Sequence, residues 1–579
     1  MKKYFIILLI VILMLSILNV QAETLTEQPL FLLGQNEIAE AIISGKATSL
    51  EIGKNPIQLI TASMGRKMIL CAGETKKSGE IIQGASLRLL ASDLQKYEKA
   101  FQCDSALTAY TLNNDLTTIW LATKGGAIDK AIVKPKVYRV SLGTFDMTEV
   151  ALDSIPCEVV ISGDGKWLAV AEPGGVETPH STLTLYDANS MAPAGRFEIS
   201  KNPGAMFFSN DNHTIVVAGY GYKYQEGFTI PTVYSVKLEQ PVSAGVDIID
   251  LISLKSKKIE LGFINNEFVI GDNGTVYAIT SEEAIEETDV ETSQEAKGNV
   301  KAIGFQGLIW EQECDFAPKF VQERPTTEQV WIGGGKKVSV IDKPTGKILK
   351  EITGPNEIKP FLFLENHAYA YAYNMNKRKL NILHLNNLLI EDTLGVGSTG
   401  LAVMKVMAVA ASVVNYYNSL QPQYVNGVRM PTNVQPIYWV HSPKGNVVAC
   451  PEKNKIYMLN SFLAQIHTYD MLTGKVAKKL GNFGQNSMYL QMAPNQKYVI
   501  LISGDGWKLI SVETDKSVLS FNPSGASVFR ATEAPIPYFS PDGKRMYITD
   551  KSKIMVIDLE NAKKLTSLKS ETKDAMICW

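Results

Sequence analysis

Net charge is almost absent from this chain: 57 Lys and Arg against 59 Asp and Glu leave −2 over 579 residues. A nucleic-acid binder carries a strong basic excess or patch. Here the basic residues are scattered, mostly at turns, so no nucleic-acid partner is expected. Histidine is scarce. His180, His213, His367, His384, His441 and His467 form no HxH, no HExxH and no pair at helical spacing, so no metal site is readable. The six cysteines, Cys71, Cys103, Cys157, Cys314, Cys450 and Cys578, are widely spaced and contain no CxxC. That removes zinc-ribbon and haem-attachment readings. An even count permits disulfides in an oxidising compartment, although no pairing can be deduced. Cys71 and Cys450 sit in strand patterns where other segments carry Ala or Val, and read as small buried hydrophobes. There is no GxSxG elbow and no Ser/His/Asp set. No cofactor is expected.

Only the N-terminus holds a long apolar run. Lys2 and Lys3 precede the apolar stretch Tyr4 to Leu18, and Val20-Gln21-Ala22 forms a small-x-small box before Glu23. This is the pattern of a secretory signal peptide over 1–22. The run is short for a spanning helix, so a periplasmic or extracellular mature chain with no membrane span is expected.

What the chain has in plenty is one turn. Phe539-Ser540-Pro541-Asp542-Gly543-Lys544 is echoed by Ile161-Ser162-Gly163-Asp164-Gly165-Lys166, Phe208-Ser209-Asn210-Asp211, His441-Ser442-Pro443-Lys444-Gly445 and Met492-Ala493-Pro494-Asn495-Gln496-Lys497. Ser162 to Ser209 is 47 residues, Ser442 to Ala493 is 51 and Ala493 to Ser540 is 47. Each turn joins two apolar strands. A third, alternating strand follows and ends in Asp (Asp187, Asp342, Asp470, Asp558), and a turn such as Thr345-Gly346-Lys347 leads to a fourth. Pro presets φ and Gly takes the left-handed position that closes the hairpin. Four short antiparallel strands per unit of about 40–50 residues are the dimensions of a propeller blade. The expected fold is all-β, a β-propeller of about 7–10 units in one large ring or two, with a small helical insertion. About ten units begin near Ile57, Thr108, Cys157, Ala205, Phe268, Glu328, Phe361, Ile437, Tyr489 and Pro537.

Ser540-Pro541-Asp542-Gly543-Lys544 with Met555-Val556-Ile557-Asp558, and Val340-Ile341-Asp342-Lys343-Pro344-Thr345-Gly346-Lys347, resemble the YVTN and WD40-like β-propeller repeats of secreted bacterial proteins. The Trp-Asp dipeptide of WD40 repeats is missing at these strand ends, which favours the YVTN side. The resemblance implies a ring of about seven blades. It covers about five units and is specific for fold rather than activity.

Three stretches break the rhythm. Residues 23–50 carry a short helical pattern, Glu37 to Ile43. Residues 281–297 are acidic but lack the DxDxDG spacing of a calcium loop, and read as a solvated loop. Gly395-Val396-Gly397-Ser398-Thr399-Gly400 is a GxGxxG followed by a helical pattern over 401–411. With no βαβ surroundings and no acidic residue about 20 positions on, it reads as a hinge before an inserted helix and not as a dinucleotide site. The chain is thus divided into a signal peptide (1–22), a first propeller part (23–394), a Gly-led insertion (395–435) and a last propeller part (436–579).

The recurring aspartates Asp164, Asp187, Asp342, Asp470, Asp542 and Asp558 are read as structural turn residues, because Asp bonds backbone N–H groups two residues on. Candidate binding residues fall where loops lengthen. His180 follows Gly174-Gly175, and Tyr220, Tyr222, Tyr224 and Phe228 belong to a Gly/Tyr loop of the type used for adaptable contact. A second long loop spans Lys124 to Lys136. The expected function is a non-catalytic binding scaffold for another protein or peptide. The alternative is an enzyme with its site at the central channel, since similar propellers include lactonase-like hydrolases and quinoprotein dehydrogenase subunits.

Overall fold

The computed structural model describes residues 30–578 except for a series of loop segments, the longest being 221–242, 282–296, 396–423, 430–443 and 522–536. Its described residues fold into eleven sheets of four or more strands and two short ribbons. Each large sheet is one blade. Blades 2 to 8 span 56–102, 107–151, 158–199, 203–262, 268–314, 320–353 and 362–395. Blades 9 to 11 span 447–480, 487–521 and 537–569. In each, four strands, A to D, pair antiparallel in chain order.

Burial follows the strand order. In blade 3 the B strand Thr118–Thr123 is buried throughout, while the D strand Met147–Ala151 is exposed at four of five positions. The A and B strands therefore lie inward and D faces solvent. Period-2 alternation gives each blade two apolar faces, which only neighbouring blades can cover. Tyr110, Ile119 and Val140 of blade 3 pack with Ile57, Leu70 and Leu87 of blade 2. Its opposite face presents Trp120, Ala122 and Val137 to Leu168, Val170 and Tyr186 of blade 4. The same interleaving continues to blade 8 and joins blade 9 to 10 and 10 to 11.

Blade 1 joins the two ends of the chain. Its strands Leu30–Leu33, Ile38–Ile43 and Lys46–Glu51 come from the start of the chain, and Met576–Cys578 from the end. Leu33 pairs with Met576 and Phe31 with Cys578. The helical pattern expected over 37–43 is thus a strand, in register with 46–51. The segment's sequence suits either element, and pairing with both neighbours decides it. Two unit starts also move. Blade 7 begins at Phe320–Glu323, one strand before Glu328. In blade 9 the A–B turn is Pro451–Asn454, not the 441–445 segment that imitates it.

The recurring turn has one geometry. The Ser162 hydroxyl donates to Asp164 Oδ1 (2.6 Å) and accepts the Trp167 N–H (2.9 Å), while Asp164 Oδ1 also accepts the Lys166 N–H (3.1 Å). Ser209–Asp211 and Ser540–Asp542 repeat all three bonds. Gly165 (φ 72°), Asn212 (φ 58°), Gln496 (φ 52°) and Gly543 (φ 66°) occupy the left-handed position. At Asp164 and Asp542 burial pushes the carboxyl pKa up, but these hydrogen bonds outweigh it and hold it below the ordinary value. The stabilisation is therefore fully present above the unfolded-state pKa and is lost as pH falls through the folded one. Asp542→Ala removes two acceptor roles, and a loss of about 1–2 kcal/mol is expected at pH 7 in chemical denaturation. The difference from wild type should shrink below about pH 4.

The 395–447 connection has an unexpected course. Tyr424–Val425 and Val428–Arg429 form a hairpin whose second strand adds parallel to the inner edge of blade 3, with Ala109 opposite Arg429. Lys444–Gly445 adds antiparallel to the inner edge of blade 10. Described parts of the connection thus line the inner side of two blades. Gly395, the first glycine of the GxGxxG, ends the outer strand of blade 8. The helix expected over 401–411 lies outside the described residues.

Candidate functional site

Because successive strands run in opposite directions, A–B and C–D connections leave one face of the stack, and B–C and D–A connections leave the other. The A–B turns hardly vary: 113–117, 162–166, 209–213, 493–497 and 540–544 are five residues each. The B–C connections vary sharply. In blades 2 to 6 they are 72–85, 124–135, 173–180, 220–243 and 282–297; in blades 7 to 11 they are only 335–336, 375–378, 461–464, 504–505 and 551–552. Tight turns suffice for the fold, so the added length on five consecutive blades needs another reason. The acidic stretch and both loops singled out from the sequence belong to this set.

Two of these connections form structure of their own. In blade 2 Glu74–Thr75 pairs with Ile81–Gln83, and in blade 3 Gly126–Ile128 pairs with Ala131–Val133. The ribbons join through the Ala127 N–H to the Gly79 carbonyl (3.0 Å). Ile82 is 44% exposed, Ile128 43% and Ile132 88%. At the base, Lys124 is half-buried and desolvation lowers its pKa.

Next to them, blades 4 and 5 build a polar corner. Lys201 is almost wholly buried, its ammonium donating to the Pro173 carbonyl (2.8 Å), and burial lowers its pKa. The Ser181 hydroxyl donates to the same carbonyl (3.0 Å) and accepts the Asn202 N–H (3.2 Å). Asp247 accepts the Ser200 N–H (2.6 Å) and is 1% exposed. Its burial raises the carboxyl pKa, the Ser200 N–H opposing. Between the ordinary carboxyl pKa and the raised one, the folded chain holds a proton that the unfolded chain releases, so stability falls as pH rises through that window. Asp247→Asn is expected to match wild type below the window and exceed it at pH 8, checked by melting temperature across the pH range.

His180 and Tyr220 both lie on this face but turn to different neighbours. His180 Nε2 is 3.4 Å from Glu198 on the outer strand of its own blade. Tyr220 packs inward on Phe268 of blade 6, with centroids 4.8 Å apart, and its ring fills the space a Cβ on Gly204 would need. Tyr222, Tyr224 and Phe228 lie outside the described residues. Residues that sequence reasoning passed over are Ile82, Ile128, Ile132 and Lys201. Loop length marks the place of the three isoleucines, whereas Lys201 lies on the short 200–202 connection, which nothing in the sequence marks.

The aspartates sit on the opposite face. Asp187 accepts the Ser190 N–H (2.7 Å) and hydroxyl (2.7 Å), Asp342 the Thr345 N–H (3.2 Å), and Asp558 the Glu560 (2.7 Å) and Asn561 (3.2 Å) N–H groups. Asp470 ends the third strand of blade 9, before a turn outside the described residues. The thiols of Cys103, Cys314 and Cys450 are pushed up by burial, that of Cys314 to about 12, which suppresses thiolate chemistry. The half-buried Cys157 thiol donates to the Ala171 carbonyl (3.3 Å). Among the described residues no three His, Cys, Asp or Glu side chains are grouped to hold a metal, and no helix is long and apolar enough to cross a membrane.

No protein-family model matches the chain, and no curated protein matches its sequence. The chain is a β-propeller. Among solved structures it is similar to a eukaryotic initiation factor, at 10% identity over 85% of this chain and 96% of that one, with a TM-score of 0.37. It is also similar to apo AztD from Citrobacter koseri (11%, 79% and 95%, 0.30). A third similarity is to the dihydro-heme d1 dehydrogenase NirN (12%, 71% and 72%, 0.30). The propeller assignment stands on the blades themselves, and similarities this distant carry no argument about the face just described.

Proposed function

We propose that this propeller is a non-catalytic binding scaffold of the secreted or periplasmic YVTN type, and that its partner, a protein or peptide, docks on the B–C face of blades 2 to 6. One observation carries the reading: five consecutive blades lengthen their connections on one face, and the two that form ribbons expose isoleucine to water. Exposed apolar groups on ordered loops are a mark of contact surfaces. The signal-peptide pattern of residues 1–22 supports export.

The test replaces 75–82 and 126–133 by a two-residue turn each, keeping the buried Ala72 and Ala85 in place, and compares trimmed and full-length chains as bait in the native compartment. The trimmed chain is expected to keep its melting temperature and lose the partner. Retained capture by the trimmed chain overturns the reading. So does turnover of small esters or lactones that both chains support equally.

A further inference from the structure

The blade 3 ribbon ends in an edge strand. Ala131–Val133 pairs on one side with Gly126–Ile128, and with no other strand among the described residues. An open row of N–H and C=O groups templates pairing with another chain, and this one is three residues long and leads into Lys134 and Pro135. Here the middle residue is Ile132, at 88% the most exposed large apolar side chain among the described residues. Ile128 on the same ribbon and Ile82 on the joined one are more than two-fifths exposed.

The charges around this edge lean one way. In the blade 2 ribbon, Lys76 is matched by Glu80 (2.8 Å), and Glu74 by Lys54 (3.2 Å) from the turn before the first strand of that blade. Lys124 and Lys134, which flank the blade 3 ribbon, have no acidic partner among the described residues. Lys134 is exposed, and Lys124 is held half-buried at the ribbon's base. Because Gly126 pairs with Val133, both lysines stand at the open base of the hairpin, where the end of a strand added along 131–133 would meet them.

We infer that the ribbon edge Ala131–Val133 takes an extended acidic segment of a partner protein as an added β-strand. Backbone pairing supplies the affinity in this mode, and alternate side chains supply selectivity. A branched apolar side chain meets Ile132, and the carboxylate at the end of the added strand meets Lys134, with Lys124 beside it at the ribbon's base. This rests on the scaffold reading and names the partner's chemistry.

The probe is the fluorescein-labelled peptide Glu-Ile-Glu-Val-Glu-Ile-Glu, titrated by anisotropy against the mature full-length chain, with Lys-Ile-Lys-Val-Lys-Ile-Lys as its counterpart. Saturable binding of the acidic peptide is expected, at least about tenfold tighter than the basic one and weakening with salt. Ile132→Asp and Lys134→Glu should each weaken it about tenfold or more, like charge now facing like. Hydrogen exchange should show new protection at 131–133. Ile132 and Lys134 lie outside the core, so both variants should keep the wild-type melting temperature, and Lys134→Glu alone decides the question if Ile132→Asp does not. Equal affinity for the two peptides, no binding, or protection confined to other loops overturns the inference. Those outcomes leave the scaffold reading intact if loop trimming still abolishes partner capture, so the two failures are distinguishable.

Discussion

Removing residues 571–579 is expected to open both ends of the chain at once. The deletion takes away Met576–Cys578, an edge strand of blade 1, and leaves Leu30–Leu33 unpaired on that side. Three residue pairs at about 1 kcal/mol each give about 3 kcal/mol, or about a hundredfold in local opening. Hydrogen exchange over 30–51 should accelerate by that factor, and limited proteolysis should start there. The middle blades should hardly change, since each contacts only its neighbours. The converse also follows from the register. Phe31 lies directly opposite Cys578, and directly opposed residues in an antiparallel pair fall within the Cα separation a disulfide spans. Phe31→Cys should therefore form a bond to Cys578 under oxidation and slow exchange over the same strands. Unchanged exchange in the deletion would mean that Met576–Cys578 does not hold the terminal sheet together.

Lys343→Met is expected to cost more than any surface charge change. Lys343 pairs with Glu323 at 3.2 Å, and their side chains are 16% and 11% exposed. The network reaches into blade 6. Tyr277 donates its hydroxyl to Glu323 (3.1 Å), and Trp310 donates its indole N–H to the Lys343 carbonyl (2.6 Å). Removing the lysine leaves a carboxylate in a space with little water, which typically costs about 3–5 kcal/mol. Most of the loss should return in the double variant Lys343→Met with Glu323→Gln, because the amide keeps an acceptor for Tyr277 and carries no charge. Denaturant unfolding of the wild type, both single variants and the double variant gives the coupling. A small loss in Lys343→Met, with no recovery in the double variant, would show that the pair is not what joins blades 6 and 7.

Local chemistry made the blades legible. Ser540 and Asp542 carry their turn's bonds within six residues, so the motif announces itself wherever it recurs. The same locality misled at 441–445, where a good turn sequence lies beside a strand that pairs with blade 10. The closing sheet was illegible because Leu32 and Ile577 meet only in the folded chain, and no spacing records it. The binding face was half legible. Loop length reads from sequence, as over 220–243, but the pairing of two ribbons and the exposure of Ile132 depend on which blades stand side by side. His180 and Tyr220 share a face for the reason expected, and point apart because one belongs to a blade's outer strand and the other to the seam with the next.

The face itself is tested most directly by site-specific photo-crosslinking in the native compartment. The photoreactive group is placed at Ile82, at Ile132, at Lys336 in the tight B–C turn of blade 7, and at Asn189 in a C–D turn on the opposite face. Crosslinked partner from Ile82 and Ile132, with none from Lys336 or Asn189, is the expected result. Partner crosslinked from Lys336 or Asn189, with none from the two isoleucines, would contradict the placement of function on the long-loop face.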